Sequence, residues 1–577
     1  MAHKITNAPR YEFDDVVVDS DGFRVLKGGE ARPLTPRAFD VLLFLIEQRN
    51  RVVEKRELFD QFWSGSFVTD NALTRVIKEI RQAIGDDANA PRYIETIPKR
   101  GYRFIGQTLA AASHSLRAAA NSIAVMPLIN AGASPDSEYL SDGITASIIN
   151  ILSQLSTVRV LARSTVFSYK GRQDVAPQVI GKELNVSTVL TGKVAQMSDK
   201  LVISAELVNT ADGTQRWGQQ YTRELSDVLD IQEEISREIS ENLQLKLSNK
   251  EHEQLERRDT GDAEAYRLYL KGYYSLYKFT PEGLTRSFDY FNQAIEKDPN
   301  YALAYAGLVE AYFNLSFILS PAEVWTKAKE AALKALQLDG LLAEAHYAMA
   351  LVSLCYDRDL RTAEREFKRA IELKPNYSLA HDWYGLFVLG ICGRFDEAFA
   401  ELRKAQELDP LSLAINTDFA TCLYWSGQYA QAIEQFKKVF ELESNFYVAH
   451  IFLGLAYVRI GHLPEAIDEF KMAQAQSNNP LTSGFLGYGL AMAGKEHEAR
   501  HILDELEQQA LSNYVPPDSL AVIYIGLGEK EQAFEWMRKA CDKRTIVSLT
   551  MRVDPVFEPL RGDREFNDLL HRAGLEL

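Results

Sequence analysis

The stretch YIETIPKRGYRFIG, residues 93–106, consists of two short runs of alternating apolar and polar residues separated by Pro98-Lys99-Arg100-Gly101. This alternation around a proline and a glycine predicts a β-hairpin with the tetrapeptide at its tip. Adjacent cations repel each other, and the tyrosine that follows them favours partial burial, so folding alone does not account for the tip. The tip therefore predicts contact with another molecule.

The residues before the hairpin predict short strands followed by three helices. Residues 11–34 alternate and break at Asp-Gly and Gly-Gly pairs, a pattern typical of antiparallel strands joined by tight turns. Thr35-Pro36 provides a helix N-cap followed by a proline in the first turn. The other two helices are predicted at about residues 54–62 and 69–84, the latter ending before a glycine.

The third predicted helix has an apolar face and an opposite polar face. At helical periodicity the polar face carries Asn71, Arg75, Lys78 and Gln82, with Thr74 and Arg81 on its flank. Arginine, asparagine and glutamine side chains pair with base edges in DNA, and lysine and arginine suit phosphates. A plain solvated helix face would have the same composition, and on this helix alone that alternative stays open.

The order of these elements resembles a known DNA-binding family. The segments LTPRAFDVLLFLIEQRNRVVEKRELFDQFW, VTDNALTRVIKEIRQAIGD and YIETIPKRGYRFI resemble the winged helix-turn-helix output domain of OmpR/PhoB-type transcription factors, and IPKRGYRF resembles its CadC/ToxR branch. The resemblance covers residues 10–106 and implies an α+β winged helix whose third helix enters the major groove. It also implies that the hairpin is the wing, which places Lys99, Arg100, Tyr102 and Arg103 at the phosphate backbone or the adjacent minor groove.

Two routes of activation used by such output domains are not expected here. A phosphorelay regulator would carry a receiver domain ahead of the output domain, and here the output domain begins at residue 10. Membrane-bound relatives carry a transmembrane helix after it. The longest apolar runs, such as GLFVLGIC at residues 385–392, are too short to cross a bilayer. We therefore expect no membrane contact.

The middle of the chain changes character twice. Residues 107–121, QTLAAASHSLRAAAN, are rich in alanine and serine and predict a linker. Residues 122–248 alternate predicted strands and helices, and the runs SIAVMPLIN, EYLSDGITASIINILSQLSTVRVLARSTVFSYKG, IGKELNVSTVLTGKV and RWGQQYTREL resemble a TolB-like α/β domain. For Asp142 and Arg163 in this region, a ligand contact and a capping or solvated role both stay open.

A repeat with a step of mostly 33–35 residues runs through residues 262–545. In the second helix of each unit a small residue, a larger one and another small one recur, because closely crossing helices need small residues beside one that fills the groove. The roughly eight copies resemble the tetratricopeptide repeat, which implies an all-α solenoid that binds a protein or peptide partner on its concave face. Tyr384, Tyr424 and Trp425 could belong to that face or to the core. Residues 546–577 break the period and predict a capping helix.

Charge and cysteine content agree with this division. The net charge is −16, but residues 1–106 carry 17 Lys and Arg against 16 Asp and Glu, a balance of +1, so the remaining residues carry −17. The acidic remainder would oppose non-specific wrapping on DNA. The four cysteines are far apart and form no CxxC pair, which argues against a disulfide scaffold or a zinc site and fits a reducing cytoplasm.

No intact catalytic or metal-binding pattern is present in the sequence. GLAMAGK at residues 489–495 nearly matches a phosphate-binding loop, but Glu496 stands where serine or threonine must ligate magnesium. His497 and His501 have a spacing that can bind metal, with no third ligand in sequence reach. We therefore expect no catalytic residues, no cofactor, no metal and no enzyme activity.

Together these features predict a multidomain bacterial transcription regulator in the cytoplasm, associated with the nucleoid when bound, that recognises promoter DNA through its winged helix. The arrangement resembles the HilA-like class of activators. The TolB-like and repeat regions would act in signal transduction as a sensor, an oligomerisation module or a partner-binding module, and a homodimer would suit tandem DNA sites. The alternative is a protein–protein scaffold whose winged helix docks a partner instead of DNA.

Overall fold

The chain forms two compact units, residues 1–120 and 121–577. The computed structural model describes residues 10–13, 16–19, 24–27, 30–32, 34–48, 52–62, 70–88, 91–97, 100–106, 121–132, 137–172, 175–245, 247–255, 257–278, 280–316, 319, 321–477 and 479–575. The predicted linker lies outside these residues except for its last one, Asn121.

The described residues of the first unit form two antiparallel sheets and three helices. One sheet has the strand order β1-β2-β3-β4 and the other β5-β7-β6. The elements in chain order are β1 Arg10–Phe13, β2 Val16–Asp19, β3 Arg24–Lys27, β4 Glu30–Arg32, α1 Pro36–Glu47, β5 Val53–Glu54, α2 Lys55–Phe62, α3 Asp70–Ile84, β6 Ile94–Ile97 and β7 Gly101–Phe104. The predicted strands and three helices are confirmed, whereas the Asp-Gly and Gly-Gly turns lie outside the described residues.

One apolar core holds this unit together. Phe13 of β1 packs its ring against Tyr93 at 4.9 Å and Phe104 at 5.3 Å, which ties the first sheet to the hairpin. The helix start at Thr35 is confirmed, since its hydroxyl accepts a hydrogen bond from the amide of Ala38. Gly85 has a φ of +72°, the left-handed conformation that ends a helix.

The second unit begins with an α/β region built on a mixed sheet. Its strand order is β10-β8-β11-β12-β13, with β9 also beside β11. β8 pairs in parallel with β10 and β11, and β9 pairs in parallel with β11. Strands β11 to β13 form an antiparallel meander. The elements are β8 Ser122–Val125, β9 Ile129–Asn130, α4 Glu138–Ser153, β10 Arg159–Val160, α5 Arg163–Phe167, α6 Pro177–Leu184, β11 Thr188–Met197, β12 Lys200–Asn209, β13 Gln215–Glu224, α7 Val228–Asn242 and α8 Asn249–Leu255.

Eight successive helix pairs, called repeats one to eight below, follow in the described residues. Their first and second helices are Ala263–Leu276 and Pro281–Lys297, Ala302–Leu315 and Pro321–Leu338, Ala343–Val352 and Leu360–Leu373, Ser378–Tyr384 and Phe395–Leu408, Leu413–Trp425 and Tyr429–Leu442, Tyr447–Arg459 and Leu463–Gln476, Pro480–Met492 and Glu496–Gln509, and Pro517–Leu527 and Lys530–Lys543. The first helices of repeats three and four continue as π-helical turns, Ser353–Asp357 and Gly385–Gly390.

The repeated small and large residues are explained by how the helices cross. The Phe291 ring of repeat one lies against Gly272 and Gly307, where an added Cβ would come within 2.6 and 2.8 Å of it. Phe470 of repeat six meets Gly454 and Gly489 in the same way, at 2.6 Å in both cases. Larger residues at these glycines would push the helices apart. Tyr384, Tyr424 and Trp425 are buried, and Tyr424 contacts Asp554 of the C-terminal segment.

The α/β region and the array share one compact unit because the turns after repeats one to four bind the preceding part of the chain. Each turn begins with a polar residue that contacts a side chain between Asn150 and Thr260. The four pairs are Thr260–Asp298, Arg257–Asp339, Asn150–Lys374 and Thr165–Asp409. Burial raises the pKa of the Asp409 carboxyl, while its hydroxyl and amide donors oppose that rise.

Asn376, in the turn after repeat three, makes the most extensive of these connections. Its amide nitrogen donates to the carbonyls of Leu155 at 2.8 Å and Val158 at 3.0 Å. Its amide oxygen accepts from the backbone nitrogen of Val160 at 3.2 Å. Asn376 is only 6% exposed, so these backbone groups would find no water if the side chain were removed.

The C-terminal segment is more than a cap. It forms 3₁₀ turns at Val547–Leu549 and Pro555–Leu560 and a helix at Arg564–Arg572. Arg358 of repeat three donates to the Thr545 carbonyl at 2.8 Å and to the Ser548 hydroxyl at 3.2 Å. The end of the array therefore reaches back to its third repeat.

Substituting Asn376 tests the connection between the α/β region and the array. We expect Asn376→Ala to lower the free energy of unfolding of the second unit by about 2–4 kcal/mol, because it leaves buried backbone groups without partners. Hydrogen exchange should quicken in β8 and β10. Asn416→Ala is the matched control, since the Asn416 side chain bonds only within the array. Equal effects of the two substitutions would contradict the assignment.

Two carboxyls, the buried Asp382 of repeat four and the partly buried Asp418 of repeat five, predict a pH dependence. Burial raises the pKa of Asp382 well above its ordinary value and that of Asp418 to about 7, while the hydrogen bond from Asp382 opposes the latter rise. The unfolded chain releases these protons at lower pH than the folded chain does, so stability is lost as pH rises toward 7.

The variant Asp382→Asn keeps a donor toward Asp418 but cannot titrate at position 382. Between pH 5 and pH 8 we expect the wild type to lose about 1–4 kcal/mol of unfolding free energy relative to this variant. Urea denaturation at pH 5, 6.5 and 8 measures the difference, with the exposed Asp396→Asn as control. Parallel curves for the wild type and Asp382→Asn would show that this pair does not hold a proton.

Candidate nucleic-acid interface

Helix α3 presents a polar stripe to the solvent. Thr74, Arg75, Lys78 and Gln82 are all exposed. On the opposite face Leu73, Ile77, Ile80 and Ile84 are at most 1% exposed. This is the division that the helical periodicity predicts. The side chain of Asn71, near the start of the helix, lies outside the described residues.

Arg100 and Gly101, the described part of the hairpin tip, are held by backbone hydrogen bonds and by pairing with β5. The amide of Arg100 donates to the Ile97 carbonyl at 3.1 Å, and the Arg100 carbonyl accepts from the amide of Lys55 at 3.0 Å. A Cβ on Gly101 would come within 1.9 Å of the Val53 carbonyl oxygen, so only glycine fits there. The Arg100 side chain is exposed, and Lys99 lies outside the described residues.

Three predicted contact residues have structural partners instead of free side chains. Tyr102 is 5% exposed and belongs to the core, so the expectation that it sits on DNA is corrected here. Arg103 pairs with Glu95 across the hairpin at 2.5 Å. Arg81 turns toward β6 and donates to the Ile94 carbonyl at 2.7 Å and to the Thr96 hydroxyl at 2.9 Å.

Arg81 and Asp86 fix the wing relative to α3. The buried Asp86 carboxylate lies 3.6 Å from Arg81 Nε and accepts backbone N–H bonds from Arg92 at 2.7 Å, Tyr93 at 3.2 Å and Ile94 at 3.0 Å. A carboxylate bound by several amides and a guanidinium is strongly held. The exposed stripe and the wing thus keep one geometry. Sequence reasoning missed Asp86, whose only signal is its position just after the helix-ending glycine.

Two further contacts, also missed, hold α3 within its second half and at its C-terminal end. The Glu79 carboxylate accepts a hydrogen bond from the backbone nitrogen of Thr35 at 2.6 Å. This bond joins α3 to the start of α1. Lys27 Nζ donates to the Ile84 carbonyl at 2.9 Å. This cation neutralises the partial negative charge at the helix C-terminus.

Outside this unit, the two residues flagged in the α/β region are used in packing. Asp142 accepts from Lys170 Nζ at 2.6 and 2.7 Å. The Arg163 guanidinium stacks over the rings of Phe167 at 4.0 Å and Tyr277 at 4.1 Å. Within the described part of the chain, no group of three or more His, Cys, Asp and Glu side chains is arranged to hold a metal ion.

Comparison with known families matches both ends of the chain. Residues 29–104 match the family described as "Transcriptional regulatory protein, C terminal". Residues 418–480 and 519–542 match tetratricopeptide repeat families. The first match contains α3 and the wing, and the other two fall within repeats five to eight.

Several relatives are similar to parts or most of the chain. Over 538 residues it is 23% identical to the transcriptional regulator HilA of Salmonella typhi, which covers 90% of this chain and 87% of HilA. It is 36% identical over 83 residues to the transcriptional activator CadC of Escherichia coli K12, covering 14% and 16%. It is 32% identical over 249 residues to the Rhizobium meliloti protein named "Putative adenylate cyclase 3", so the match spans 42% of that protein's length.

Removing the Asp86 carboxylate tests how the wing is held. We expect Asp86→Ala to destabilise the first unit by about 2–4 kcal/mol, because three backbone amides and Arg81 lose the carboxylate that binds them. Hydrogen exchange in β6 and β7 of the full chain should quicken while exchange in the array is unchanged. Asp87→Ala, at the exposed neighbouring position, is the control. Unchanged protection of the hairpin in Asp86→Ala would contradict this role.

No helix in the described residues is long and apolar enough to span a membrane. The first unit has the strand and helix order of a winged helix, and its residues 29–104 match the regulator family. Residues 418–480 and 519–542, within the helix pairs of the second unit, match the repeat families. The chain therefore combines a winged helix of the OmpR/PhoB-type transcriptional regulators with a C-terminal array of tetratricopeptide repeats.

Proposed function

We propose that this protein is a sequence-specific DNA-binding transcriptional regulator and not an enzyme. Helix α3 enters the major groove, where Arg75 and Gln82 read base edges and Thr74 and Lys78 bind phosphates. Arg100 at the wing tip contacts the adjacent backbone. Asn71 and Lys99, whose side chains lie outside the described residues, join the same interface.

One observation carries this proposal: three cations and two polar side chains are exposed together on the two elements that winged helices place on DNA. A merely solvated surface would show acidic residues among them, since residues 1–106 contain 16 Asp and Glu. The described part of the stripe contains none, because Glu79 turns away toward Thr35. Arg81, Tyr102 and Arg103 act behind the interface and hold the helix and the hairpin in place.

The remainder of the chain receives the signal. We assign the α/β region to the TolB-like class, and its close packing with the array supports a single module that senses a ligand or partner. The array supplies a surface for a protein or peptide. The regulator works in the cytoplasm and joins the nucleoid when bound, and a homodimer would match two DNA sites in tandem.

Removing two interface cations tests the proposal. We expect Arg75→Ala combined with Arg100→Ala to weaken binding to the best genomic site about 100-fold, since a base-reading arginine contributes about 1–3 kcal/mol. The slope of log affinity against log salt should fall by about 1 for each lost phosphate contact. The site is first selected with the purified full chain, and affinity is then measured by fluorescence anisotropy at several salt concentrations.

The matched control removes the same charge elsewhere. Arg237 and Lys471 are exposed in the second unit, and the variant carrying Arg237→Ala and Lys471→Ala should bind as the wild type does. If the folded variant with Arg75→Ala and Arg100→Ala bound DNA with unchanged affinity, these residues would not form the DNA interface. Weak, unselective binding by the wild type at every salt concentration would favour the scaffold alternative.

A further inference from the structure

Part of the array surface is occupied by the chain's own C-terminal segment. Tyr424 lies on the first helix of repeat five, Arg459 ends that of repeat six, and Tyr488 lies on that of repeat seven. We call these three residues the Tyr424 site. Arrays of this kind bind partners on their concave surface. Residues 554–560 cover the Tyr424 site.

Two carboxylates of the segment meet donors of the site. The Tyr424 hydroxyl donates to Asp554 Oδ1 at 3.1 Å, and Arg459 pairs with Glu558. Asp554 is 6% exposed, whereas the Glu558 side chain is 55% exposed. One carboxylate is thus held deep in the site and the other at its rim.

The residues between these carboxylates form a compact apolar plug. Asp554 caps the turn by accepting from the amide of Val556 at 3.0 Å. Val556 and Phe557 are 2% and 1% exposed, and the turn packs against the first helix of repeat eight. Prolines at 555 and 559 stiffen this short turn, which lowers the entropy lost on docking.

The site requires an acidic occupant. Tyr424 is fully buried, and burial raises its pKa well above the ordinary value, so its hydroxyl remains a donor at any physiological pH. Without a carboxylate this donor would be buried with no acceptor. Arg459 adds a cation, and its Nε finds no hydrogen-bond partner among the described residues.

We propose that the Tyr424 site recognises acidic peptides of the form Asp-Pro-apolar-Phe-Glu, and that residues 554–558 fill it as an internal copy of this ligand. A partner protein that presents the same chemistry replaces the segment. This inference rests on the proposed partner-binding role of the array and is independent of DNA recognition. Tethering gives the internal copy a high effective concentration, so a free peptide competes poorly with it.

Weakening the internal copy should open the site. The probe is a fluorescein-labelled peptide, LTMRVDPVFEPLRG, with the sequence of residues 549–562. We expect it to bind full-length protein carrying Asp554→Ala and Glu558→Ala at least tenfold more tightly than it binds the wild type. Adding Tyr424→Phe and Arg459→Ala to that variant should abolish binding. A probe with alanine at both acidic positions should fail to bind.

The outcomes separate a ligand from a fixed part of the fold. Circular dichroism and hydrogen exchange confirm that the array stays folded in each variant, and Glu558→Ala alone, which removes only the exposed carboxylate, serves if the double variant does not fold. Absence of peptide binding to a folded variant would overturn the proposal. DNA affinity is measured on the same proteins. A failure of DNA binding would contradict the proposed regulatory function, and a failure of peptide binding would contradict only the present proposal.

Discussion

The second unit depends on buried hydrogen bonds between inter-repeat turns and the backbone of the α/β region. Asn376 and Asp409 each enter that region and satisfy several of its donors or acceptors. Groups of this kind contribute modestly when paired and cost much when one partner is lost. They therefore fix a single arrangement of sheet and array, whereas an apolar contact would tolerate sliding.

The first unit uses the same physical principle at a smaller scale. Its exposed cations stand on elements that are fixed by buried polar contacts of Arg81, Asp86 and Glu79. Binding long flexible cations to DNA costs side-chain entropy, and a rigid support confines that cost to the side chains themselves. The structure thus separates the basic residues into two groups. Some are exposed, and others hold the backbone of the elements that carry the exposed ones.

Local sequence patterns predicted the helices and strands. They did not predict the polar contacts between residues that are far apart in the sequence. The apolar face of α3 followed from the spacing of Leu73, Ile77 and Ile80, and the repeats followed from residues such as Phe470 that fill space beside glycines. Tyr102 was misplaced at the tip although its alternation with the core residue Phe104 already put it inside. The sequence around Asp409 gives no comparable signal. An aspartate just after a helix is as typical of an exposed helix end as of a buried contact with another region.

The contact between Arg358 and the C-terminal segment changes the mechanics of the array. An open solenoid unfolds as a sum of neighbour interactions and frays from its ends. Here the last elements of the chain hold the third repeat, and burial lowers the pKa of the enclosed Arg358 guanidinium to about 10. Repeats three to eight are thereby closed into a loop that resists extension. Without the contacts of this segment, the array would extend under force as an open solenoid does.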